Sequence, residues 1–296
     1  MFLPFFWALL SSLLDVLDTV TYKTAADISA KMRADFNLLY FLGYCIVLIV
    51  TPAFFLFFHG DIVRDMLAVS NSWKDAAIFL AITVSTIGLG NLLTKAYSFE
   101  KISVLAPYTQ VSQISSILFG FLLFRSQTTY QQLAAAFVAS MIILFSNMEK
   151  GKLRFNKYCL ILGAGEMLRS IATLLSAYVA STYHPFSIVS FQNFLGFLIL
   201  GAYFLFRPKG FVFPKEKPER KKFVWSTVIP SLCWVFVTAI SLYLYQEIGV
   251  VATILLSMIT LAVTLVASYL IYHDVPRKKD VVTTSLVLLC IGVGFV

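Results

Sequence analysis

Long uninterrupted apolar runs are the feature that most restricts how this chain can fold. A typical run reads Phe-Gly-Phe-Leu-Leu-Phe from Phe119 to Phe124. A transmembrane helix needs about 20 mainly apolar residues, and this chain of 296 residues is 59% hydrophobic and only 13% charged, whereas soluble domains are about one quarter charged. We therefore predict an all-α membrane protein. A transmembrane β-barrel is excluded because its strands would alternate apolar and polar residues.

Ten transmembrane helices account for nearly the whole sequence. The first apolar segment contains Asp15 and Asp18, which the apolar region of a cleaved signal peptide would not tolerate, so we expect it to be retained as a helix. The chain is thus predicted to be a multi-pass integral protein of the bacterial inner membrane, with an organelle membrane as the alternative. The predicted spans are 2–26, 36–58, 75–97, 102–124, 129–147, 157–181, 185–206, 224–246, 248–272 and 279–296.

Basic residues are distributed unevenly among the predicted loops. The net charge is +8, and 17 of the 23 lysines and arginines lie in the odd-numbered loops. Cytoplasmic loops carry the excess of Lys and Arg, so this count predicts odd loops in the cytoplasm and both termini outside. The basic residues form no patch interleaved with aromatic residues, so we expect no nucleic-acid partner.

A weak internal repeat divides the chain. Asp15-x-x-Asp18 corresponds to Glu166-x-x-Arg169 at an offset of 151 residues, and residues 97–106 resemble 243–252 at an offset of 146. We predict two five-helix repeats, 1–150 and 151–296. Because five is odd, the second repeat is inverted relative to the first, as in many transporters. Span 1 should then pack near span 6, and span 4 near span 9.

One stretch of the first half resembles a known family. The sequence AYSFEKISVLAP at 96–107, followed by an apolar helix, a short turn at 125–129 and a final helix to Ser146, resembles the EamA-type domain of the drug/metabolite transporter superfamily. The second half has Thr253 in place of Pro107. The resemblance implies a ten-helix transporter that works by alternating access, with a cavity lined by the first, third and fourth helices of each half. It also implies cytoplasmic termini, opposite to the charge count.

Charged residues in the middle of predicted spans mark a candidate substrate site. Asp15 and Asp18 share one helical face with Ser11 and Tyr22, at i, i+4, i+7 and i+11. The matching face of span 6 carries Glu166, Arg169 and Thr173. A charge within a membrane is costly unless it is paired or hydrated, so such residues commonly bind substrates or ions. The alternative is an ion pair that serves assembly alone.

Polar side chains on other spans extend this candidate site. Any single polar stripe also suits hydrogen bonding between helices, and Lys95 lies near enough to a span end to reach the headgroups. The residues are Asn91 and Lys95 on span 3; Thr109, Gln110, Gln113 and Ser116 on span 4; Trp234, Thr238, Ser241 and Tyr245 on span 8; and Thr253, Ser257, Thr260 and Thr264 on span 9.

Several chemistries have no motif in the sequence. There is no phosphate-binding loop, the three histidines lie far apart, and the four cysteines have no paired spacing. We therefore expect no enzyme activity, no cofactor and no metal.

The remaining features predict a secondary active transporter for a small amine or a zwitterion such as an amino acid. A carboxylate that binds either a proton or a cationic substrate would couple two fluxes, giving proton-coupled antiport or exchange. The expected partners are a small-molecule substrate, protons and membrane lipids, and the expected oligomeric state is a monomer or weak dimer. The alternatives are an exchanger of nucleotide sugars or organic phosphates with the same fold, and an intramembrane lipid-modifying enzyme.

Overall fold

The computed structural model is a bundle of helices, which confirms the all-α prediction. It describes residues 2–32, 35, 37–99, 102–124, 128–148, 156–207, 212–272 and 277–296, and these contain no strand. The turn expected at 125–129 therefore lies partly outside the described residues. The helices are α1 (Phe2–Lys31), α2 (Leu38–Asn71), α3 (Trp73–Phe99), α4 (Ile102–Leu123), α5 (Tyr130–Asn147), α6 (Lys157–Ala180), α7 (Pro185–Phe206), α8 (Lys217–Ile248), α9 (Val250–Ser257), α10 (Thr260–Tyr272) and α11 (Lys278–Gly294).

Helix length and composition identify a multi-pass membrane protein. Eight helical segments in the described part of the chain are long and apolar enough to cross a bilayer. The helices follow the predicted spans in order, with α9 and α10 together in the ninth position. Exposed leucine, valine and phenylalanine side chains cover the outside of the bundle, as expected where the surrounding medium is lipid.

The second helix is longer than predicted. The apolar run ends at Phe58, where the backbone leaves helical geometry (φ −125°, ψ 25°), but a further helical segment continues from the kink to Asn71. That segment is amphipathic, with Ile62, Asp65 and Val69 buried. The predicted span therefore ended at the kink, and hydrophobicity alone missed the helix beyond it.

The eighth helix also starts earlier than predicted, because one residue anchors its charged beginning. Phe223 is fully buried in a cluster with Ala25, Leu38 and Phe204. Seven residues before the predicted start at 224 are therefore helical.

The ninth span is broken. Helix α9 ends at Ser257 and α10 begins at Thr260. The Ser257 hydroxyl donates a hydrogen bond to the carbonyl of Ile254, and such local bonds compete with the regular helical ladder.

Polar contacts fasten the short connection between α6 and α7. The backbone N–H of His184 donates to Asp65 (2.8 Å) and the phenol of Tyr183 donates to Asp75 (2.8 Å). Gln246 donates to the carbonyls of Ala180 and Tyr183. Burial, followed by the hydrogen bond to Asp75, raises the pKa of Tyr183 to about 12, so the phenol remains a donor at neutral pH.

Most of the main packing pairs come in matched sets, the pair α5 with α9 being an exception. Helix α1 packs on α8 as α6 packs on α3; α4 packs on α6 as α9 and α10 pack on α1; and α2 packs on α8 as α7 packs on α3. The match follows from replacing each helix of residues 1–150 by the helix at the same position in 151–296, and the reverse. Under this exchange α1 corresponds to α6, α2 to α7, α3 to α8, α4 to α9 with α10, and α5 to α11. Three further pairs are unchanged by the exchange: α2 with α7, α5 with α11, and α4 with α9.

Helices α1 and α6 are not among the main packing pairs of the described residues. The principal partner of α1 is α8, and that of α6 is α3. The predicted packing of span 1 on span 6 is therefore not found among the main packing pairs, whereas α4 and α9 pack directly as predicted.

Candidate functional site

The acidic face of α1 is turned away from lipid. Leu13 and Leu17 are exposed, at 51% and 45%, and Asp15 lies about 200° around the helix from each of them. Asp15 and Asp18 are only half-buried. Both carboxylates therefore lie on the side of α1 that faces the bundle.

The second charged face lies on α6. The Arg169 guanidinium Nε is 3.1 Å from a carboxylate oxygen of Glu166, one helical turn away. Glu166 is completely buried, and neither of its carboxylate oxygens has a hydrogen-bond partner. A buried carboxylate normally accepts several hydrogen bonds, so Glu166 has spare acceptor capacity.

Arg169 reaches from α6 toward α1. Its side chain is 46% exposed although it lies about 200° from the exposed residue Met167 on the same helix. It is close enough to Asp15 and Asp18 to interact electrostatically with both. The structure thus places Arg169 within electrostatic range of all three acids that the sequence predicted.

Two hydrogen-bonded pairs flank this charged cluster. The Tyr22 hydroxyl bonds with the Thr94 hydroxyl between α1 and α3, and Thr173 bonds with Tyr245 between α6 and α8. Tyr22 corresponds to Thr173, and Thr94 to Tyr245, both at the offset of 151 that relates Asp15 to Glu166. The same two positions are bonded in each half, with the tyrosine and threonine exchanged.

Helix α4 supplies amide groups beside Glu166. Ser116 donates to Ser170 of α6 at 3.0 Å, and Gly120 lies opposite Leu174, so the two helices run parallel. Gln113, one turn before Ser116, is therefore level with Glu166, one turn before Ser170.

The amides on α4 also have spare acceptors. The side-chain oxygens of Gln110 and Gln113 are buried and have no hydrogen-bond partner. This wall of the site therefore presents hydrogen-bond acceptors to whatever lies beside Glu166.

Other residues that the sequence predicted for the site form contacts away from the charged cluster. Asn91 donates to Asn37 in the connection before α2 (3.1 Å), and Lys95 is half-buried four residues farther along α3. Thr260 donates to Ser12 of α1 (2.9 Å), while exposed Ser257 bonds to its own helix.

Trp234 and Thr238 occupy the middle of α8. Both are half-buried, and Trp234 packs against the apolar cluster that contains Val47 and Val235. The structure records no polar contact that joins either residue to the four charged side chains.

Three residues near the cluster were not predicted. Thr94 is fully buried beside Tyr22, Tyr40 lies with its ring centroid 6.1 Å from that of Tyr22, and Cys233 lies near enough to Asp15 and Asp18 to interact with them. Thr94 could have been found, because it stands 151 residues before Tyr245. Tyr40 and Cys233 lie within apolar runs and gave no such signal.

The cluster suits a charged ligand that offers hydrogen-bond donors. Three carboxylates lie within electrostatic range of one guanidinium, and the unpartnered amide oxygens of Gln110 and Gln113 lie on the neighbouring helix α4. A cationic group or a proton would offset the excess negative charge, and Arg169 could hold a carboxylate. Among the described residues, no group of three or more His, Cys, Asp or Glu could hold a metal ion.

Comparisons with known proteins reveal a related fold but do not assign the chain to a family. No protein-family model and no curated protein matches the chain. Solved structures do match. One of them is a crystal structure with a TM-score of 0.67 and 14% sequence identity; the match covers 98% of this chain and 94% of the other protein's chain. The fold therefore recurs along nearly the full length of another protein, at an identity that carries no functional information.

Proposed function

We propose that this chain is a secondary active transporter that moves a small amine or zwitterion, such as an amino acid, across a membrane by alternating access. The observation that carries the proposal is Glu166: it is completely buried within an apolar helix, its carboxylate is ion-paired with Arg169 at 3.1 Å, and neither carboxylate oxygen accepts a hydrogen bond. An ion pair that served assembly alone would be expected to include those hydrogen bonds. In a substrate site, the ligand would supply them.

The architecture in this proposal is ten transmembrane helices in two inverted five-helix repeats, as in the EamA-like members of the drug/metabolite transporter superfamily. The matched packing pairs support it, because an axis that exchanges the two halves generates such a pattern. The exchanged pairs Tyr22 with Thr94 and Thr173 with Tyr245 support it at the level of single residues. Inverted-repeat transporters bind substrates near the bilayer midplane, between the repeats.

The substrate class follows from the balance of donors and acceptors. Asp15, Asp18 and Glu166 offer oxygen acceptors against the single guanidinium of Arg169, and the unpartnered amide oxygens of Gln110 and Gln113 add two more acceptors. A ligand with several N–H donors complements this set. A phosphate or nucleotide sugar, the alternative substrate, would add negative charge to a site that already has an excess.

Exchange for a proton provides the coupling in this proposal. A carboxylate cannot bind a proton and a cationic ligand at the same time, so competition at Glu166 or Asp18 makes the two movements mutually dependent. The resulting transport is antiport of a cation against protons.

A thermal-shift screen tests the proposal. Detergent-purified protein is heated with amino acids, polyamines, aromatic amines or nucleotide sugars, since a ligand that binds only the folded state raises the melting temperature. We expect an amine or amino acid to raise it, and Glu166→Gln to remove that shift. A shift with nucleotide sugars alone would favour the organic-phosphate alternative, and conversion of added lipid would favour the enzyme.

A further inference from the structure

A basic surface on α8 lies outside the transport site. It consists of Lys217, Arg220, Lys221, Val224 and Trp225, which we call the α8 basic face. With Pro218 these residues line an open groove of about 600 Å³. None of them takes part in the charged cluster, and all five are exposed.

The α8 basic face is held rigidly outward. Its members are spaced i, i+3, i+4, i+7 and i+8, which places them on one side of the helix. Phe223, which is fully buried, fixes the opposite side against the bundle. The cations therefore stand on an ordered helix, so little entropy is lost when they bind a ligand.

Basic and acidic side chains lie on different sides of the first turns of α8. Within α8 the nearest acid in sequence is Glu219, which lies about 200° from Lys217. Glu216, the N-cap residue, stands at the end of the face beside Lys217. From Lys217 to Trp225 the three cations therefore share a face without a carboxylate on it. Such a face is complementary to an anion.

Helix length places the face at the membrane surface. Helix α8 has 32 residues, about 48 Å at 1.5 Å per residue, whereas the hydrocarbon core is about 30 Å thick. Trp225 lies about 35 Å along the helix from its end at Ile248. Tryptophan favours the headgroup boundary, and the cations extend up to about 12 Å beyond it, within the headgroup layer.

We infer that the α8 basic face is a binding site for an anionic phospholipid, with Lys217, Arg220 and Lys221 contacting the phosphate and Val224 and Trp225 contacting the upper acyl chain. Three cations with an aromatic residue on the membrane side match the two chemical parts of such a lipid. This site is independent of the substrate and of the transport cycle.

Native mass spectrometry of the full chain in detergent tests the site. Phosphatidylglycerol is titrated against the wild type, a triple variant K217Q/R220Q/K221Q, and a control at another helix start, K278Q/K279Q. The control removes two exposed cations at the start of α11. We expect the triple variant to lose about ten-fold or more in apparent affinity for the first phosphatidylglycerol, and the control less than about two-fold.

Lipid chemistry supplies the second measurement. Phosphatidylcholine should bind the wild type and the triple variant equally, because it lacks net charge. In a W7F/W73F/W234F background, brominated phosphatidylglycerol should quench Trp225 more than brominated phosphatidylcholine at the same mole fraction. Equal quenching by the two lipids, or equal phosphatidylglycerol affinity in the triple variant and wild type, would overturn the inference.

Discussion

The charged faces of α1 and α6 occupy corresponding positions and differ in chemistry. Among its described side chains, the α1 face carries two acids, Asp15 and Asp18, and no cation. The α6 face carries Glu166 and its own counter-ion, Arg169, one turn away. The hydrogen-bonded positions around both faces are kept, with tyrosine and threonine exchanged.

The contrast between the α1 and α6 faces separates the interhelical hydrogen bonds, which are present in both, from the charges, which differ. The bond between the first and third helices of each half needs one phenol and one hydroxyl, in either order. The charges follow no such rule, because the three acids share Arg169 of α6. In the proposed transporter, a symmetric scaffold would thus hold an asymmetric site, which could bind the two ends of a zwitterion differently.

The most damaging change should be Arg169→Met. It removes the one cation shared by Asp15, Asp18 and Glu166 and leaves the fully buried Glu166 without a counter-ion, a change that costs about 3 kcal/mol or more. We expect loss of transport in proteoliposomes and a melting temperature lowered by about 5 °C or more. Arg169→Lys, which keeps the charge, should recover most of the stability. If Arg169→Met melts like the wild type, the α1 acids do not depend on α6.

The next largest effect should come from neutralising single acids. Glu166→Gln and Asp18→Asn keep the shape and the ability to hydrogen-bond but remove the charge that binds a cation or a proton. We expect each to reduce uptake of the ligand found in the thermal-shift screen by about ten-fold or more, with nearly unchanged folded yield. Normal transport by both variants would make the cluster structural and the proposed site wrong.

A smaller, matched effect is expected at the exchanged pairs. Tyr22→Phe and Tyr245→Phe each remove one hydroxyl from an interhelical hydrogen bond, which is worth about 1 kcal/mol. The two variants should therefore lower the melting temperature by similar amounts, of about 2 to 4 °C. Thermal unfolding followed by circular dichroism measures both. A loss in one variant only would show that the two pairs are not structural equivalents.

The smallest effect should be at the hydroxyl contacts between the fourth helix of one half and the first helix of the other. Ser116→Ala removes the contact with Ser170, and Thr260→Ala removes the contact with Ser12. Hydrogen bonds of this kind contribute about 0.6 kcal/mol, so we expect melting temperatures within about 2 °C of the wild type. A much larger loss for Thr260→Ala would indicate that the break between α9 and α10 relies on this bond.

The sequence predicted the parts of the fold that depend on hydrophobicity. Apolar length gave the order of the helices, and mid-span charges gave the cluster, because a membrane penalises unpaired charge wherever it occurs. The extension of α2 beyond Phe58 and the early start of α8 were missed. Both depend on buried residues such as Ile62 and Phe223 that hold polar helical segments against the bundle.

Individual roles within the site were harder to predict. Helical spacing correctly placed Asp15, Asp18 and Tyr22 on one face, but it could not show that Asn91 bonds to Asn37 or that Ser257 bonds to its own helix. Those outcomes depend on which helices become neighbours. Cys233 lies near the acids for the same reason: α8 packs on α1.

The unequal lengths of the helices imply a hydrophobic mismatch on one side of the bundle. Helices α5 and α11, which pack together, have 18 and 17 residues, about 26 Å long, whereas α2 has 34 residues. The hydrocarbon core is about 30 Å thick, so beside α5 and α11 the lipid thins or flanking side chains extend to the headgroups, whereas α2 requires neither. This hydrophobic mismatch costs a fraction of a kcal/mol per Å. It should favour the protein in thin regions of a membrane and orient neighbouring proteins around the short pair.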